Sequence, residues 1–507
     1  SIQLVIYEPS LNVFFKVIEN IDLSFLFEDR IPALIVDGLN GEEKKAILEK
    51  LVTLANIEFI KHYENRSCAA LFSAQVIDFM KLLGKTVEDV IVGRNTGIRY
   101  SAVEMDNLFH NIKYLCEGSI TTQLCDIIPT DIPAIIVSAG PSLNKNIMEL
   151  KGAKNKAFIV AVDTAVRPLV NAGIIPDMYV IVDGLKPKEL LDFDEAKRIP
   201  LMPSITSTKE ILESHTGKKI FYFEGQRFIW SMMMMNGIPF STVACGGSVA
   251  CSAFSLVYKL GFSRIILVGQ DLALTGNKTH ADGTFKGVMD EIDTSRCIKV
   301  PGNYEEEVPT RGDFKLYLDW FNYYIEGCEG IHVINATEGG AKIDNTEIMT
   351  LHDAIMRECI KEVDIDACFE KLKPIFNAEQ QHKALEYLKT FPEMYRKMKK
   401  KVIKLNKEYQ KLKTICGKSI IDKNAYLRAL KNIKNLTQEI EKHELYDTIS
   451  CTLSVANYII ESEQFYEEDT VAAEGLQIAK QGITYTKMVE QCIDLFIPLT
   501  EETLLTL

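Results

Sequence analysis

Residues 134–146 read AIIVSAGPSLNKN, and residues 158–184 read FIVAVDTAVRPLVNAGIIPDMYVIVDG. Each apolar run is continuous rather than alternating, which suits a strand buried on both faces of a parallel sheet covered by helices. The runs end in small or polar residues, Ser138-Ala139-Gly140 in the first and Asp163-Thr164 and Asp183-Gly184 in the second, each followed by a helical or turn pattern. A strand–helix–strand unit wired this way makes the region α/β and doubly wound.

Outward from this stretch the same rhythm continues. Strands are expected at AIIVS (134–138), FIVAV (158–162), MYVIV (178–182), KIFYF (219–223), RIILV (264–268) and IHVIN (331–335), with helical segments between them and no strands beyond about Thr350. Before it, QLVIYEP, a helical stretch Leu11 to Ile18, ALIVDG, a helical stretch Glu42 to Ala55, and IEFIKH predict a second α/β region reaching about Ser119. Glu8 stands where a Rossmann-like strand carries a ribose-binding carboxylate, but no glycine-rich turn precedes it, so it reads as structural. After about Asp364 glycines become rare, and apolar residues at i, i+3, i+4 and i+7 predict long helices over Lys371 to Leu388, Met394 to Ile415 and Ala425 to His443. The expected organisation is an N-terminal Rossmann-like α/β domain (1–125), a central Rossmann-like parallel-sheet domain (126–360) and an all-helical domain (361–507). Ser1 is followed at once by strand-like residues, so the numbering is expected to begin inside a longer natural chain.

Composition narrows the function classes. The 507 residues carry a formal net charge of −13, with 47% hydrophobic and 25% charged residues, an ordinary globular balance. Such acidity argues against duplex nucleic acid as the main partner, because phosphate neutralisation needs clustered lysines and arginines. One stretch, Arg396 to Lys413, is basic. It reads first as the solvated face of a helix and second as a docking surface for an acidic partner or a membrane, and Tyr395, Lys399, Lys400 and Tyr409 are candidates for an acceptor surface. The 12 cysteines contain no C-x-x-C pair and, with the 8 histidines, supply no zinc-like spacing, so reduced thiols and no structural metal are expected. No apolar run approaches the ~20 residues that span a bilayer, and a cytoplasmic protein is expected.

Five stretches carry candidate chemistry, and each has a plainer reading. In SAGPSL, Gly140 permits close backbone approach and Ser142 can cap the helix whose N–H groups face an anion; the alternative is a tight turn. Ser138, Asp163 and Asp183 end three strands, so they line one rim of the sheet, where ligands of open α/β folds bind. Asp163 before Thr164 is also a plain N-cap, and Asp177 after Pro176 reads as a turn residue. In residues 243–276, VACGGSVACSAFSLVYKLGFSRIILVGQDLALTG, Gly246, Gly247 and Ser248 open a helix and Gly269, Gln270 and Asp271 close the next strand. Thr279-His280-Ala281-Asp282-Gly283 forms a polar loop, and His280 is the one histidine placed where a general base would sit; the other seven read as structural. In INATEGGAKI, Thr337, Glu338 and Gly339 form either another ligand loop or a β-turn.

Taken in order, SAGPSL, the DTA…GIIPD…VD unit, CGGSV, LVGQDLALTG with THADG, and INATEGGAKI resemble the central domain of the bacterial motility-associated (Maf) glycosyltransferases. The resemblance covers about residues 130–350; the flanks match that family in architecture only. It implies transfer of a nonulosonic acid such as pseudaminic or legionaminic acid from its CMP conjugate to Ser or Thr hydroxyls of flagellin, on a sheet similar to that of bacterial sialyltransferases. In that reading Ser138, Ala139, Gly140, Pro141 and Ser142, the Gly246-Gly247-Ser248 turn, Asp163, Thr164 and Asp183 hold the nucleotide sugar. Gly269, Gln270, Thr279, Thr337, Glu338 and Gly339 complete the pocket, and Asp271 and His280 border the acceptor. No obligatory cofactor is implied; Mg²⁺ on Asp183 is an option that sialyltransferases of the similar fold do without. The same sheet and turn also resemble archaeal 6-hydroxymethyl-dihydropterin pyrophosphokinases, which would use ATP and Mg²⁺. A non-catalytic flagellin-binding chaperone is the third reading.

Overall fold

The computed structural model describes residues 4–24, 32–53, 56–285, 294, 297–453 and 470–507. The chain divides into two units, Ser1–Ala102 with Glu393–Ile497 and Val103–Pro392 with Pro498–Leu507. This partition follows packing, whereas the cuts at 125/126 and 360/361 follow changes of sequence pattern, and the two partitions differ.

In the first unit β1 (Val5–Glu8) and β2 (Ala33–Val36) pair in parallel, with Val5 opposite Ala33. The helix Leu11–Ile18 between them starts at Ser10, whose hydroxyl accepts the N–H of Val13. Ile35, Leu48 and Phe79 form the core here, and the Tyr7 ring stacks on Phe79 with centroids 4.1 Å apart. IEFIKH is not a strand: Ile57–Phe59 is a single 3₁₀ turn, and Phe59 and Ile60 are exposed. A short apolar run without a neighbouring strand to complete its backbone hydrogen bonds gains nothing from extending. From there the α/β rhythm gives way to the helices Arg66–Leu71 and Ser73–Glu117.

Of the expected long helices, Met394 to Ile415 and Ala425 to His443 are present as Phe391–Cys416 and Lys423–Glu441, Lys371 to Leu388 is helical only over Ala378–Lys389, and a further long helix, Val471–Thr506, was not expected. Tyr395, Met398, Val402, Leu405, Leu412 and Cys416 are buried at alternating three- and four-residue spacing, the seam of a helix bundle. Two candidates for an acceptor surface are therefore interior. Tyr395 is fully buried with its hydroxyl 2.7 Å from that of Thr448, and the Tyr409 ring occupies the space a side chain at Gly482 would need. Lys399 is held by Asp494 at 2.7 Å and Glu490 at 3.4 Å, while Lys400 is exposed.

The second unit holds a seven-stranded, all-parallel sheet. Its strands are β4 (Ala134–Val137), β5 (Phe158–Val162), β6 (Met178–Ile181), β7 (Leu201–Pro203), β9 (Arg264–Val268), β12 (His332–Asn335) and β13 (Glu347–Ile348), in spatial order 13-12-9-4-5-6-7. All of β4, β5 and β6 is buried, as continuous apolar runs require. KIFYF contributes only β8 (Ile220–Phe221), which pairs with β3 (Ser119–Ile120) and touches β7 through isolated bridges. The sheet position beyond β6 belongs to β7, whose three residues between Pro200 and Ser204 are too short for a periodic signal. A small antiparallel ribbon joins β10 (Ile298–Val300) to β11 (Val308–Thr310).

Strands β4 to β7 progress towards one edge of the sheet, and β9, β12 and β13 towards the other. The order reverses between β4 and β9, and a crevice beyond the carboxyl ends of those two strands is where such sheets bind ligands.

Candidate functional site

The strand register brings Ser138, Asp163 and Asp183 to the carboxyl ends of the adjacent strands β4, β5 and β6, and Gly269 and Gln270 to the end of β9. The Ser138 hydroxyl donates to Oε1 of Gln270, a bond directly across the switch point. The Ser138 N–H donates to the Val268 carbonyl at 2.8 Å and that of Gly140 to the Gly269 carbonyl at 2.8 Å.

The SAGPSL turn does hold an acidic group, and that group is the protein's own. The Asp271 carboxylate accepts the Ser142 N–H at 3.2 and 3.3 Å and the Ser142 hydroxyl at 2.5 Å. Asp271 is 2% exposed. Burial pushes its carboxyl above the ordinary range, against the hydrogen bonds from Ser142 and Thr275, which favour the ionised form. A Cβ at Gly140 would lie 2.1 Å from Oδ2 of Asp271 and 2.4 Å from the Gly269 carbonyl. Glycine is thus required there by the fit of two loops to each other, a different reason from the ligand approach expected from sequence. Pro141 and Leu143 are buried beneath the same turn.

The β12 loop closes the knot. Thr337 is fully buried and its hydroxyl accepts the Gln270 N–H at 3.1 Å. Oε1 of Glu338 accepts from Asn146 and from the Leu351 N–H, both at 3.1 Å, so this carboxylate sits at the start of the helix Leu351–Glu358. The Gly339 carbonyl accepts from Asn303 at 2.7 Å. Each of these three has a bond to the protein itself.

On the other side of β4 the arrangement is more open. Asp163 is 1% exposed, accepts the Thr164 N–H at 2.7 Å, and faces the Lys186 ammonium at 3.1 Å. Asp183 is half-buried and accepts the Leu185 N–H at 2.8 Å. Glu104 lies near it: burial raises the Glu104 carboxyl, and the charges of Glu224 and Asp183 raise it further. Asn107 donates to the carbonyls of Gly184 (2.9 Å) and Thr206 (3.1 Å), and Asn111 to those of Ile205 (2.9 Å) and Ser207 (2.8 Å). Lys186, Glu104, Asn107 and the hydroxyl loop Ser204–Thr208 escape a sequence reading. Lys186, three residues after Asp183, carried the only available signal, a cation close to a strand-end carboxylate.

Gly246, Gly247 and Ser248 precede the helix Val249–Lys259, which packs on β4, β5 and β6 and leads into β9, so its amino end lies at the carboxyl rim of the sheet. Ser248 is the N-cap, its hydroxyl accepting the Cys251 N–H at 3.3 Å, and Gly247 has φ +81°. Gly246 rests on the Trp320 indole, and Gly247 on Tyr317. This helix end carries the partial positive charge that favours a phosphate.

The THADG loop is stapled over the first turn by the Ala281 N–H, which donates to the Ala139 carbonyl at 2.8 Å, and by the Asp282 N–H, which donates to Asn144 at 3.0 Å. His280 is half-buried within it, Nδ1 3.0 Å from the hydroxyl of the buried Thr279. Asp177, expected in a turn, is buried; it accepts the Ile159 N–H at 2.8 Å and pairs with Lys154 at 2.5 Å, fixing the start of β5. Among the described residues, no group of three or more His, Cys, Asp or Glu side chains is arranged to hold a metal ion. No helix among them is long and apolar enough to cross a membrane.

Comparison with known proteins agrees with this geometry. Residues 106–277 match the family described as 6-hydroxymethylpterin diphosphokinase MptE-like. An uncharacterised protein of Treponema pallidum (strain Nichols) is 24% identical over 144 residues, which cover 28% of this chain and 67% of that protein. The solved MAf glycosyltransferase of Magnetospirillum magneticum AMB-1 is 16% identical, with a TM-score of 0.58 over 99% of this chain and 75% of that one. The resemblance to the Maf glycosyltransferases drawn from the motifs therefore holds in the fold, including its Rossmann-like sheet and helical region.

Proposed function

We propose that the chain is a glycosyltransferase that moves a nonulosonic acid, pseudaminic or legionaminic, from its CMP conjugate to Ser or Thr hydroxyls of flagellin. The observation that carries this reading is that a helix amino end at Gly246–Ser248 and a histidine loop bonded to the SAGPSL turn both lie at the carboxyl rim of one parallel sheet. An anion seat and a base on one rim are what transfer from a sugar phosphate needs. The acceptor oxygen bonds to the anomeric carbon as that carbon's bond to the phosphate oxygen breaks, and the hydroxyl proton passes to His280. The electron pair leaves with cytidylate, whose growing charge is stabilised by pre-aimed N–H dipoles. Because Asp271 already fills the N–H bed of Ser142, the donor phosphate is assigned to the Gly247–Ser248 end, with Asp163, Lys186 and Thr164 on the same rim of the sheet.

The similarity to the MAf glycosyltransferase also takes in the helices of residues 393–497, which lie outside the pterin-kinase match. That match nevertheless favours a second reading, transfer of a pyrophosphoryl group from ATP to a pterin, with Mg²⁺ near Asp163 and Asp183. Titration calorimetry with CMP and with ATP, each with and without Mg²⁺, separates the two. Metal-independent CMP binding, followed by a nonulosonic-acid mass increment on flagellin incubated with the CMP-sugar, is expected. Binding of ATP that requires Mg²⁺, with none of CMP, would replace this reading by the second. Flagellin binding without any mass increment would instead leave a chaperone.

A further inference from the structure

The basic stretch of the helix Phe391–Cys416 is unexplained by a transferase site. Its buried seam runs through Met398, Val402, Leu405 and Leu412, and the lysines 397, 400, 404, 407 and 411 form a second stripe at the same three- and four-residue spacing on its exposed side. The stripe covers about 21 Å at 1.5 Å per residue. Among the described residues none of Lys397, Lys400, Lys404 and Lys407 forms an ion pair, although the whole chain carries a net charge of −13. Surface lysines in an acidic chain usually find carboxylates at i±4 or across a helix, as Lys401 does with Glu439 at 3.0 Å.

The stripe borders an open groove of about 380 Å³ against the helix Lys423–Glu441, lined by Lys404, Lys407 and Lys411 on one side and Asn432, Asn435 and Leu436 on the other. Glu408 also lines it, bonded to Lys411 and to Asn432. These groups discriminate between anionic partners. A concave trough makes poor contact with a flat lipid headgroup layer. Two amides and an apolar floor, by contrast, suit a polypeptide with mixed side chains.

We propose that this groove docks an acidic amphipathic helix of a partner protein, with Asp or Glu once per turn opposite Lys404, Lys407 and Lys411 and an aliphatic side chain over Leu436. Cations at three- and four-residue spacing on one helix match carboxylates at the same spacing on another, so register is set by charge and contact by the floor. This inference stands independently of sugar transfer.

The test uses the full chain and a fluorescein-labelled, Ala-based helical peptide with Glu at i, i+3, i+7, i+10 and i+14, read by anisotropy. Saturable binding that weakens with added salt is expected, with at least a tenfold loss in the variant Lys404→Gln/Lys407→Gln/Lys411→Gln and less than a twofold change in Lys431→Gln/Lys434→Gln. All five lysines are exposed, so a thermal melt should show both variants folded. Four results would overturn the proposal: no saturable binding, equal binding of a peptide with Gln for every Glu, equal losses in the two variants, or phosphatidylserine vesicles or duplex DNA bound more tightly than the peptide through the same three lysines.

Discussion

The Ser142 hydroxyl lies 2.5 Å from Oδ2 of Asp271, a residue 129 positions further along the chain, and both side chains are buried. This contact joins the ends of β4 and β9, so the shape of the ligand crevice depends on it. Ser142→Ala leaves Asp271 one donor short in a dry environment and is expected to cost about 1.5–3 kcal/mol, the range for hydrogen bonds to charged groups. Urea denaturation of the variant measures it, and a change below about 0.5 kcal/mol would mean that the loop junction does not rely on this bond.

The same contact has a pH signature. Burial raises the Asp271 carboxyl, so the folded chain holds this proton more tightly than the unfolded one does. Stability must then fall as pH rises from the ordinary carboxylate value, about 3.9, through the raised folded-state value. Asp177 is raised in the same direction, also by burial, and acts alike in wild type and variant. Asp271→Asn removes one contribution, and its stability relative to wild type should increase across that window. A relative stability that decreases with rising pH would show that the ionised form of Asp271 is the one the fold favours.

Two glycines make opposite predictions. Gly140→Ala drives a methyl group into the Asp271 carboxylate and the Gly269 carbonyl, and is expected to cost about 3 kcal/mol or to prevent soluble expression. Gly84 lies inside the helix Ser73–Glu117, where an added Cβ meets nothing within 4 Å, so Gly84→Ala should stabilise by about 0.4–1 kcal/mol through the unfolded chain. Calorimetric melting of the two variants reads both, and equal shifts would contradict the packing described at Gly140.

His280→Ala tests the proposed base. Sugar transfer should fall by about 10²–10⁴-fold while CMP affinity stays within about threefold, because the loop is held by backbone bonds of Ala281 and Asp282 rather than by the imidazole alone. Undiminished single-turnover transfer would remove His280 from the chemistry.

Much of the central fold was legible because strands buried on both faces leave long apolar runs, as in Ile135–Val137 and Ile159–Val162. Strand β7 and the fate of KIFYF were not, since a three-residue strand between Pro200 and Ser204 carries no period and pairing partners are a tertiary choice. At the site, strand-end residues such as Ser138, Asp163 and Gln270 were identifiable from where the apolar runs stop. Their bonding was not. Nothing local to SAGPSL says that the acidic group facing Ser142 is that of Asp271 rather than of a ligand, and nothing local to Glu338 says that it meets the Leu351 N–H. Such contacts join segments from 13 to more than 100 residues apart, beyond the reach of any periodic or turn-based signal.

The reversal of strand order between β4 and β9 has a consequence for biosynthesis. As β4 leaves the ribosome it can pair with β5 after about 25 more residues of translation, but its other side meets Ile265–Val268 only after about 130. At about 5–20 residues per second that interval is on the order of ten seconds. Throughout it, a fully apolar strand edge is exposed to other nascent chains, so rare-codon pauses placed between Gly184 and Arg264 should lower soluble yield more than pauses placed after Asn335.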